Sequence, residues 1–236
     1  MYNNHHSFWS SIPVVTKNLL ILNVLFFLTT DVLNRIIGFD LTNILGLHYF
    51  TTKSFNPAQL VTYMFMHGSF LHLFFNMFML FMFGRFLEQA WNSKRFFAYY
   101  MITGIGAGLV QQVVWTIEYH DIISGVYSYV NIGTQTITAE AFLNKITTVG
   151  ASGAVVAILL AFGMTYPNMP LYIMFIPIPI KAKYVVIGFA AVDLFMGVGN
   201  IQFANINIAH FAHLGGMLFG IILILIWRKR GKIHKY

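Results

Sequence analysis

The sequence predicts an all-α, polytopic membrane protein, and both its composition and its hydropathy support this fold class. Of the 236 residues, 58% are hydrophobic and only 9% are charged, and the mean hydropathy is +0.70. A soluble domain carries about 25% charged residues, so this chain has too little polar surface for a water-soluble globule. The lipid bilayer is therefore its expected solvent.

Six apolar segments follow one another along the chain, and each is close to the roughly 20 residues that a spanning helix needs. They lie at 18–37, 66–87, 95–115, 146–165, 183–199 and 206–227. We therefore predict a short N-terminal segment at 1–17, a six-helix transmembrane domain at 18–227 and a basic tail at 228–236. Residues 1–17 lack the basic start and cleavage site of a signal peptide, so the first span is expected to remain as an anchor.

Basic residues indicate how the spans are oriented, because Lys and Arg in short loops stay on the cytoplasmic side. With the N-terminus inside, most of the 14 basic residues lie in cytoplasmic segments, namely Lys17, Arg85, Lys94, Arg95, Lys181, Lys183, Arg228, Lys229, Arg230, Lys232 and Lys235. The acidic residues lie mostly on the other side. Both termini are therefore predicted to be cytoplasmic. Because the basic residues are dispersed over four short segments, no nucleic-acid partner is expected.

The absence of cysteine excludes several kinds of chemistry. A chain without cysteine forms no disulfide, has no thiol nucleophile and provides no Cys-based metal or iron–sulfur site. The sequence motifs imply no metal, nucleotide or redox cofactor.

Polar residues concentrate in three spans that all enter the membrane from the outer face in this topology. The second span has His67, His72 and Asn76, the fourth opens with Gly150-Ala151-Ser152-Gly153, and the sixth contains His210 and His213. With a rise of 1.5 Å per residue, a residue seven positions into the sixth span lies about 10 Å below its start. Polar groups at that depth must face protein or a water-filled cavity, since lipid would leave them unsatisfied.

Small residues predict which spans pack against each other. They recur every four residues in the fourth span and again in the sixth, at Gly153, Ala157, Ala161, Gly216 and Gly220. This spacing lets two helix backbones approach closely, so we expect these spans to be neighbours. Ser152 and His213 would then face each other as a nucleophile and its base. Taken alone, Ser152 is more typical of a helix cap or a packing residue than of a nucleophile. Asn76 could instead form an interhelical hydrogen bond, and His210 is interpreted as a structural neighbour.

These motifs together resemble those of the rhomboid intramembrane proteases. The family's Gly-x-Ser-Gly matches residues 150–153, and its Ala-His-x-x-Gly-x-x-x-Gly matches Ala212 to Gly220. Its His-x-x-x-Asn matches His72 and Asn76, and its Gly-x-x-x-Glu matches Gly84 and Glu88. Each motif alone is weak, but four in the family's order on successive spans are a strong signal that covers almost the whole chain.

The resemblance implies a serine endopeptidase with a Ser–His dyad, in which Ser152 is the nucleophile and His213 the general base. It also implies that His72, Asn76 and the backbone N–H of Ser152 bind the oxyanion. The substrates would be transmembrane segments of other proteins, cut near the outer face of a plasma membrane. No Asp or Glu is evidently placed to orient the imidazole, and Val156 stands where many members have an aromatic residue.

Two other functions remain open at this stage. A catalytically silent rhomboid-like protein would bind transmembrane clients without cutting them. A transporter would use the polar residues as a conduction path, and its polar residues would continue down the bundle. The role of the long loop at 116–145 is not determined by the sequence.

Overall fold

The computed structural model describes residues 11–172, 178–199 and 209–233, and six long helices dominate this part of the chain. They are α1 (Val14–Ile37), α4 (Phe70–Trp91), α5 (Ser93–Glu118), α8 (Ser152–Thr165), α9 (Ala182–Val198) and α10 (His210–Lys229). Four of them, α1, α4, α5 and α10, are long and apolar enough to cross a membrane. Since α8 has 14 residues and α9 has 17, the count of six spans and the orientation remain predictions.

Short elements connect the long helices. They are α2 (Thr42–Leu45), β1 (Leu47–His48), α3 (Gln59–Thr62), a 3-10 turn (Tyr63–Phe65), α6 (His120–Ile123), β2 (Tyr129–Ile132), β3 (Gln135–Thr138), α7 (Ala139–Lys145), β4 (Thr147–Thr148), β5 (Pro170–Leu171) and β6 (Ile180–Lys181). The strands pair antiparallel as β1 with β4, β2 with β3 and β5 with β6. One π-helical turn, Leu80–Gly84, interrupts the regular α-helical geometry of α4.

Three predicted helix starts are wrong. The second span was expected from residue 66, but Met66 and Ser69 have extended backbones and the helix begins at Phe70. The fourth span was expected from residue 146, but Thr147 and Thr148 form β4, and Gly150 has a φ of 132° that a right-handed helix does not allow. The sixth was expected from 206; residues 206–208 lie outside the described ranges, and the helix begins at His210 after a non-helical Ala209. His213 therefore lies in the first turn of α10, and not two turns into it.

Helix α8 forms the centre of the bundle. All its residues except Ser152 and Met164 are buried, and it packs against α5, α9 and α10. The outer helices expose large apolar side chains instead, including Leu25 on α1, Ile187 on α9 and Leu225 on α10. An apolar exterior around a fully packed central helix is what a bilayer environment requires.

A buried carboxylate fixes the start of α1 against the end of α4. Glu88 accepts hydrogen bonds from the backbone N–H groups of Val15 and Thr16 at 2.9 and 2.7 Å, from Thr16 Oγ1 and from Ser93 Oγ. The first N–H groups of a helix lack intrahelical partners, and an acidic group is favourable at that end. The glutamate of the Gly-x-x-x-Glu motif thus caps a neighbouring helix.

The long loop between α5 and α8 is folded. Helix α5 continues to Glu118, and the remainder forms α6, the β2–β3 hairpin, α7 and β4. Strand β4 joins this insert to the segment between α1 and α4 through the Leu47–Thr148 and His48–Thr147 pairs. The insert therefore ends in a hydrogen-bonded strand four residues before Ser152, which fixes how the chain enters α8.

Candidate active site

Ser152 is the first residue of α8, and the backbone before it is tightly held. Gly150 donates its N–H to the carbonyl of Tyr63 at 2.9 Å, and the Tyr63 hydroxyl donates to the carbonyl of Gly104 at 2.7 Å. The positive φ of Gly150 suits glycine, since a side chain is rarely tolerated there. This turn leaves Ser152 half-buried, and the N–H groups of the first helical turn have no intrahelical acceptor.

The small residues predicted to join the fourth and sixth spans do lie in contact. A Cβ added to Gly216 would overlap the backbone carbonyl of Gly153, and one added to Gly220 would meet Tyr99 Oη and lie 3.4 Å from Ala157 Cβ. A Cβ on Gly153 would lie 3.5 Å from the Ala212 carbonyl oxygen. The backbones of α8 and α10 therefore touch directly beside Ser152 and His213, which confirms the predicted helix pairing.

His213 is held by a carboxylate from a third helix. Its Nδ1 lies 3.0 Å from Asp193 Oδ2, and the other carboxylate oxygen lies 2.6 Å from His210 Nδ1. All three side chains are buried, at 5% exposure for Asp193, 9% for His210 and 8% for His213. The expectation that no acidic residue orients the imidazole is wrong. The sequence contained a signal, because an ionisable residue inside an apolar span is a functional candidate by default.

The hydrogen bonds to Asp193 determine where each imidazole carries its proton. An ionised carboxylate can only accept hydrogen bonds, so each Nδ1 that faces Asp193 is the protonated nitrogen of its ring. The lone pair of a neutral His213 is then at Nε2. That nitrogen is therefore available to accept a proton from a neighbouring hydroxyl.

An aromatic ring accompanies the His213 imidazole although Val156 is aliphatic. The Phe189 ring on α9 lies with its centroid 6.5 Å from that of His213, at an interplanar angle of 40°. Helix α9 therefore supplies both an aromatic neighbour and a hydrogen-bond acceptor to the imidazole. Phe189 of α9 thus places an aromatic ring near the imidazole, although the fourth span has Val156 at the position where many family members have an aromatic residue.

His72 and Ser152 border the same small space above Gly150. A Cβ added to Gly150 would lie 2.8 Å from His72 Nε2 and 3.5 Å from Ser152 Oγ. Asn76 is buried one turn below, and its Nδ2 donates to the His72 carbonyl at 2.9 Å, so one amide hydrogen remains for another acceptor.

The structure places the predicted residues in one region but does not join them all by hydrogen bonds. Among the described residues, Ser152 Oγ and His213 make no hydrogen bond within 3.5 Å. Catalytic hydrogen bonds are often long in an enzyme without substrate and shorten when it binds. His67 lies beside His72, with ring centroids 5.0 Å apart, and is buried.

Comparisons with known proteins agree with the motifs. The family model of the Rhomboid domain matches residues 55–230. The mitochondrial presenilin-associated rhomboid-like protein A of Danio rerio is 29% identical over 204 residues, which are 80% of this chain and 44% of that protein. The mitochondrial presenilin-associated rhomboid-like proteins of Rattus norvegicus and Mus musculus are each 27% identical over 201 residues, 80% of this chain and 45% of theirs.

The chain thus spans less than half the length of each of these relatives. Their names place them in mitochondria, so the comparisons do not support the expected plasma membrane. The apolar helices identify the chain itself as a membrane protein.

Proposed function

Because the chain belongs to the rhomboid family, we propose that it is an intramembrane serine endopeptidase that hydrolyses peptide bonds in or next to transmembrane segments of other proteins. One observation carries this proposal above the others. The contact between Gly153 and Gly216 joins the helix that begins with Ser152 to the helix whose first turn holds a carboxylate-bound His213.

In the proposed reaction, Ser152 Oγ attacks the scissile carbonyl while His213 Nε2 accepts the hydroxyl proton. His213 then returns this proton to the leaving amine, and water hydrolyses the acyl-enzyme by the same route. Asp193 is a positioning residue, since its bond to Nδ1 fixes the tautomer and stabilises the imidazolium. The sequence motifs alone implied a dyad without this carboxylate.

The oxyanion of the tetrahedral intermediate requires donors about 3 Å away that are already in place. The N–H of Ser152 is free of intrahelical bonding, and His72 Nε2 lies across the space above Gly150. Asn76 has an unused amide hydrogen. We assign these three groups to the oxyanion, with the glycine at 150 keeping their space open.

Buried helix surfaces around the site and apolar helix faces outside it favour a membrane-embedded substrate. Ser152 and His213 both lie in the first turn of their helices, so a peptide would reach them near one membrane surface. The distribution of basic residues along the sequence favours the outer side for that surface. A client transmembrane segment would have to unwind there, because backbone groups of a helix are not available for attack.

The proposal is tested by incubating the purified chain in liposomes with a model transmembrane substrate, beside Ser152→Ala and His213→Ala. We expect cleavage by the native chain only, since either substitution removes a group that acts in the transition state. Equal cleavage by all three proteins would refute the proposed nucleophile and base. Binding of the substrate without any cleavage would identify a silent rhomboid-like binder.

A further inference from the structure

Asp193, His210 and His213 form a compact cluster that we call the His–Asp–His cluster. Each residue offers one ligand atom, and these atoms all lie within 4.8 Å of one another. His210 and His213 lie three positions apart on one face of α10, and Asp193 reaches them from α9. The cluster thus brings three buried metal-binding side chains from two packed helices to a single point.

We propose that the His–Asp–His cluster binds a divalent zinc-class cation and that the bound cation switches the hydrolase off. Two imidazoles and one carboxylate are a ligand set that Zn²⁺ uses in three-ligand sites, with a water in the fourth position. The binding stands on the geometry alone, whereas the inhibition rests on the proposed function. Such a cation is a regulator here and not a cofactor of the hydrolysis.

The separations between the ligand atoms suit a small transition metal. Zn²⁺ binds His nitrogen at about 2.0–2.1 Å and carboxylate oxygen at about 2.0–2.2 Å. Tetrahedral geometry then separates neighbouring ligand atoms by about 3.3 Å. The two carboxylate oxygens lie 2.6 and 3.0 Å from the two Nδ1 atoms, and the three ligand atoms lie within 4.8 Å of one another, so side-chain shifts on the order of 1 Å would bring them to these separations. Mg²⁺ and Ca²⁺ prefer oxygen ligands and do not match two imidazoles.

Proton positions explain why the cation and catalysis exclude each other. Without a cation, Nδ1 of His213 is protonated toward Asp193, and Nε2 has the lone pair that accepts the Ser152 proton. A cation bound at Nδ1 takes the lone pair there, so the single proton of the neutral ring moves to Nε2. The ring stays neutral, no electron is transferred, and Nε2 becomes a donor. His213 then has no lone pair with which to accept a proton.

Binding is measured first, by titrating Co²⁺ into the full-length chain and following its ligand-field absorption, with Zn²⁺ as the competitor. The affinity tag must contain no histidine, and a variant with His5→Ala and His6→Ala removes the adjacent pair at the N-terminus. We expect His210→Asn and Asp193→Asn to weaken binding by more than about 100-fold, since losing a ligand exceeds the 10- to 100-fold effect of losing an outer-shell partner. His120→Ala changes an exposed His–Asp pair and should leave binding unaltered.

Inhibition is measured as the rate at which a fluorophosphonate labels the protein with and without Zn²⁺. The native chain should lose at least about 90% of its labelling rate in saturating Zn²⁺, as expected from site occupancy, and recover it with a chelator. Mg²⁺ should have no effect. In His210→Asn the ratio of the labelling rate with Zn²⁺ to the rate without Zn²⁺ should stay near one, whatever the basal rate of that variant. If His210→Asn does not fold, Asp193→Asn carries the same binding comparison.

Each outcome decides one part of the proposal. Cation binding as tight in Asp193→Asn and His210→Asn as in the native chain would overturn the metal site and leave the cluster as a hydrogen-bonded unit. Tight native binding with unchanged labelling would overturn the inhibition. Tight native binding together with no labelling of the metal-free chain would support the metal site and refute the proposed hydrolase.

Discussion

Helices α8 and α9 supply the two polar residues that flank His213, yet they are held in opposite ways. Helix α8 is buried on all sides and contacts α10 backbone to backbone. Helix α9 has only three buried residues, Ala182, Val186 and Asp193, and exposes a long apolar face. The nucleophile is therefore held by close packing, whereas the carboxylate is held by its two hydrogen bonds to α10.

This difference indicates that two kinds of interaction position the site: close packing holds Ser152, and hydrogen bonds hold Asp193. Packing at the Gly153–Gly216 contact has no tolerance for added volume, because protein interiors are close-packed. A peripheral helix can accept substitutions on most of its surface but not at its one buried carboxylate. The following predictions test each half of this comparison, beginning with the largest effect.

Replacing Asp193 by asparagine should reduce kcat by about 100- to 10,000-fold, because the amide no longer fixes the tautomer of His213. KM for a model transmembrane substrate should change little, since Asp193 does not contact the substrate in our proposal. Steady-state cleavage in detergent measures both constants. Asp121→Asn, at an exposed aspartate on α6, is the control and should retain native values. A rise in KM with an unaltered kcat would contradict a positioning role.

Replacing Gly150 by alanine should lower kcat by about 100- to 1000-fold, the usual effect of losing one oxyanion donor. The added Cβ would lie 2.8 Å from the His72 ring and would displace it. Gly133→Ala is the matched control, because Gly133 also has a positive φ but has open space around it. The backbone strain in Gly133→Ala should leave the cleavage rate unchanged. Equal rates for both variants would remove His72 from the proposed oxyanion site.

Replacing Gly216 by alanine should lower the free energy of unfolding by about 1–3 kcal/mol, since the methyl group would overlap the backbone of Gly153. The same substitution at Gly188 on α9 meets open space and should leave stability unchanged or raise it by up to about 1 kcal/mol. Unfolding in mixed micelles compares the two variants. Similar losses at both positions would contradict the difference between a packed and a peripheral helix.

Replacing Tyr99 by phenylalanine should cost about 1 kcal/mol of unfolding free energy, because the buried hydroxyl donates to the Ala157 carbonyl at 2.9 Å. Tyr184→Phe alters an exposed tyrosine on α9 and should be neutral. Both variants can be compared by the same unfolding measurement. A neutral Tyr99→Phe variant would show that this hydrogen bond adds nothing to the packing that holds α8.

The sequence predicted the packed half of this site better than the peripheral half. The glycines at 153, 216 and 220 repeat at helical spacing, so their contact follows from a local pattern. Asp193 lies 17 and 20 residues from its partners, and α9 is apolar around most of its circumference. Which way its single carboxylate faces depends on tertiary packing, and no periodic pattern reveals it.

The start of α8 was mispredicted for a related reason. Residues Ile146 to Val149 are apolar or β-branched, and such a run suits a short strand as well as a helix. Thr147 and Thr148 form a strand because they pair with β1, which lies about 100 positions earlier in the chain. Apolar length is a local property, whereas strand pairing depends on residues distant in the sequence.

Mass spectrometric mapping of a fluorophosphonate adduct tests the central claim most directly. We predict a single adduct on Ser152 in the native chain, none in Ser152→Ala, and greatly slowed formation in His213→Ala. An adduct on a different residue, or equal labelling of Ser152 in the native chain and in His213→Ala, would contradict the account.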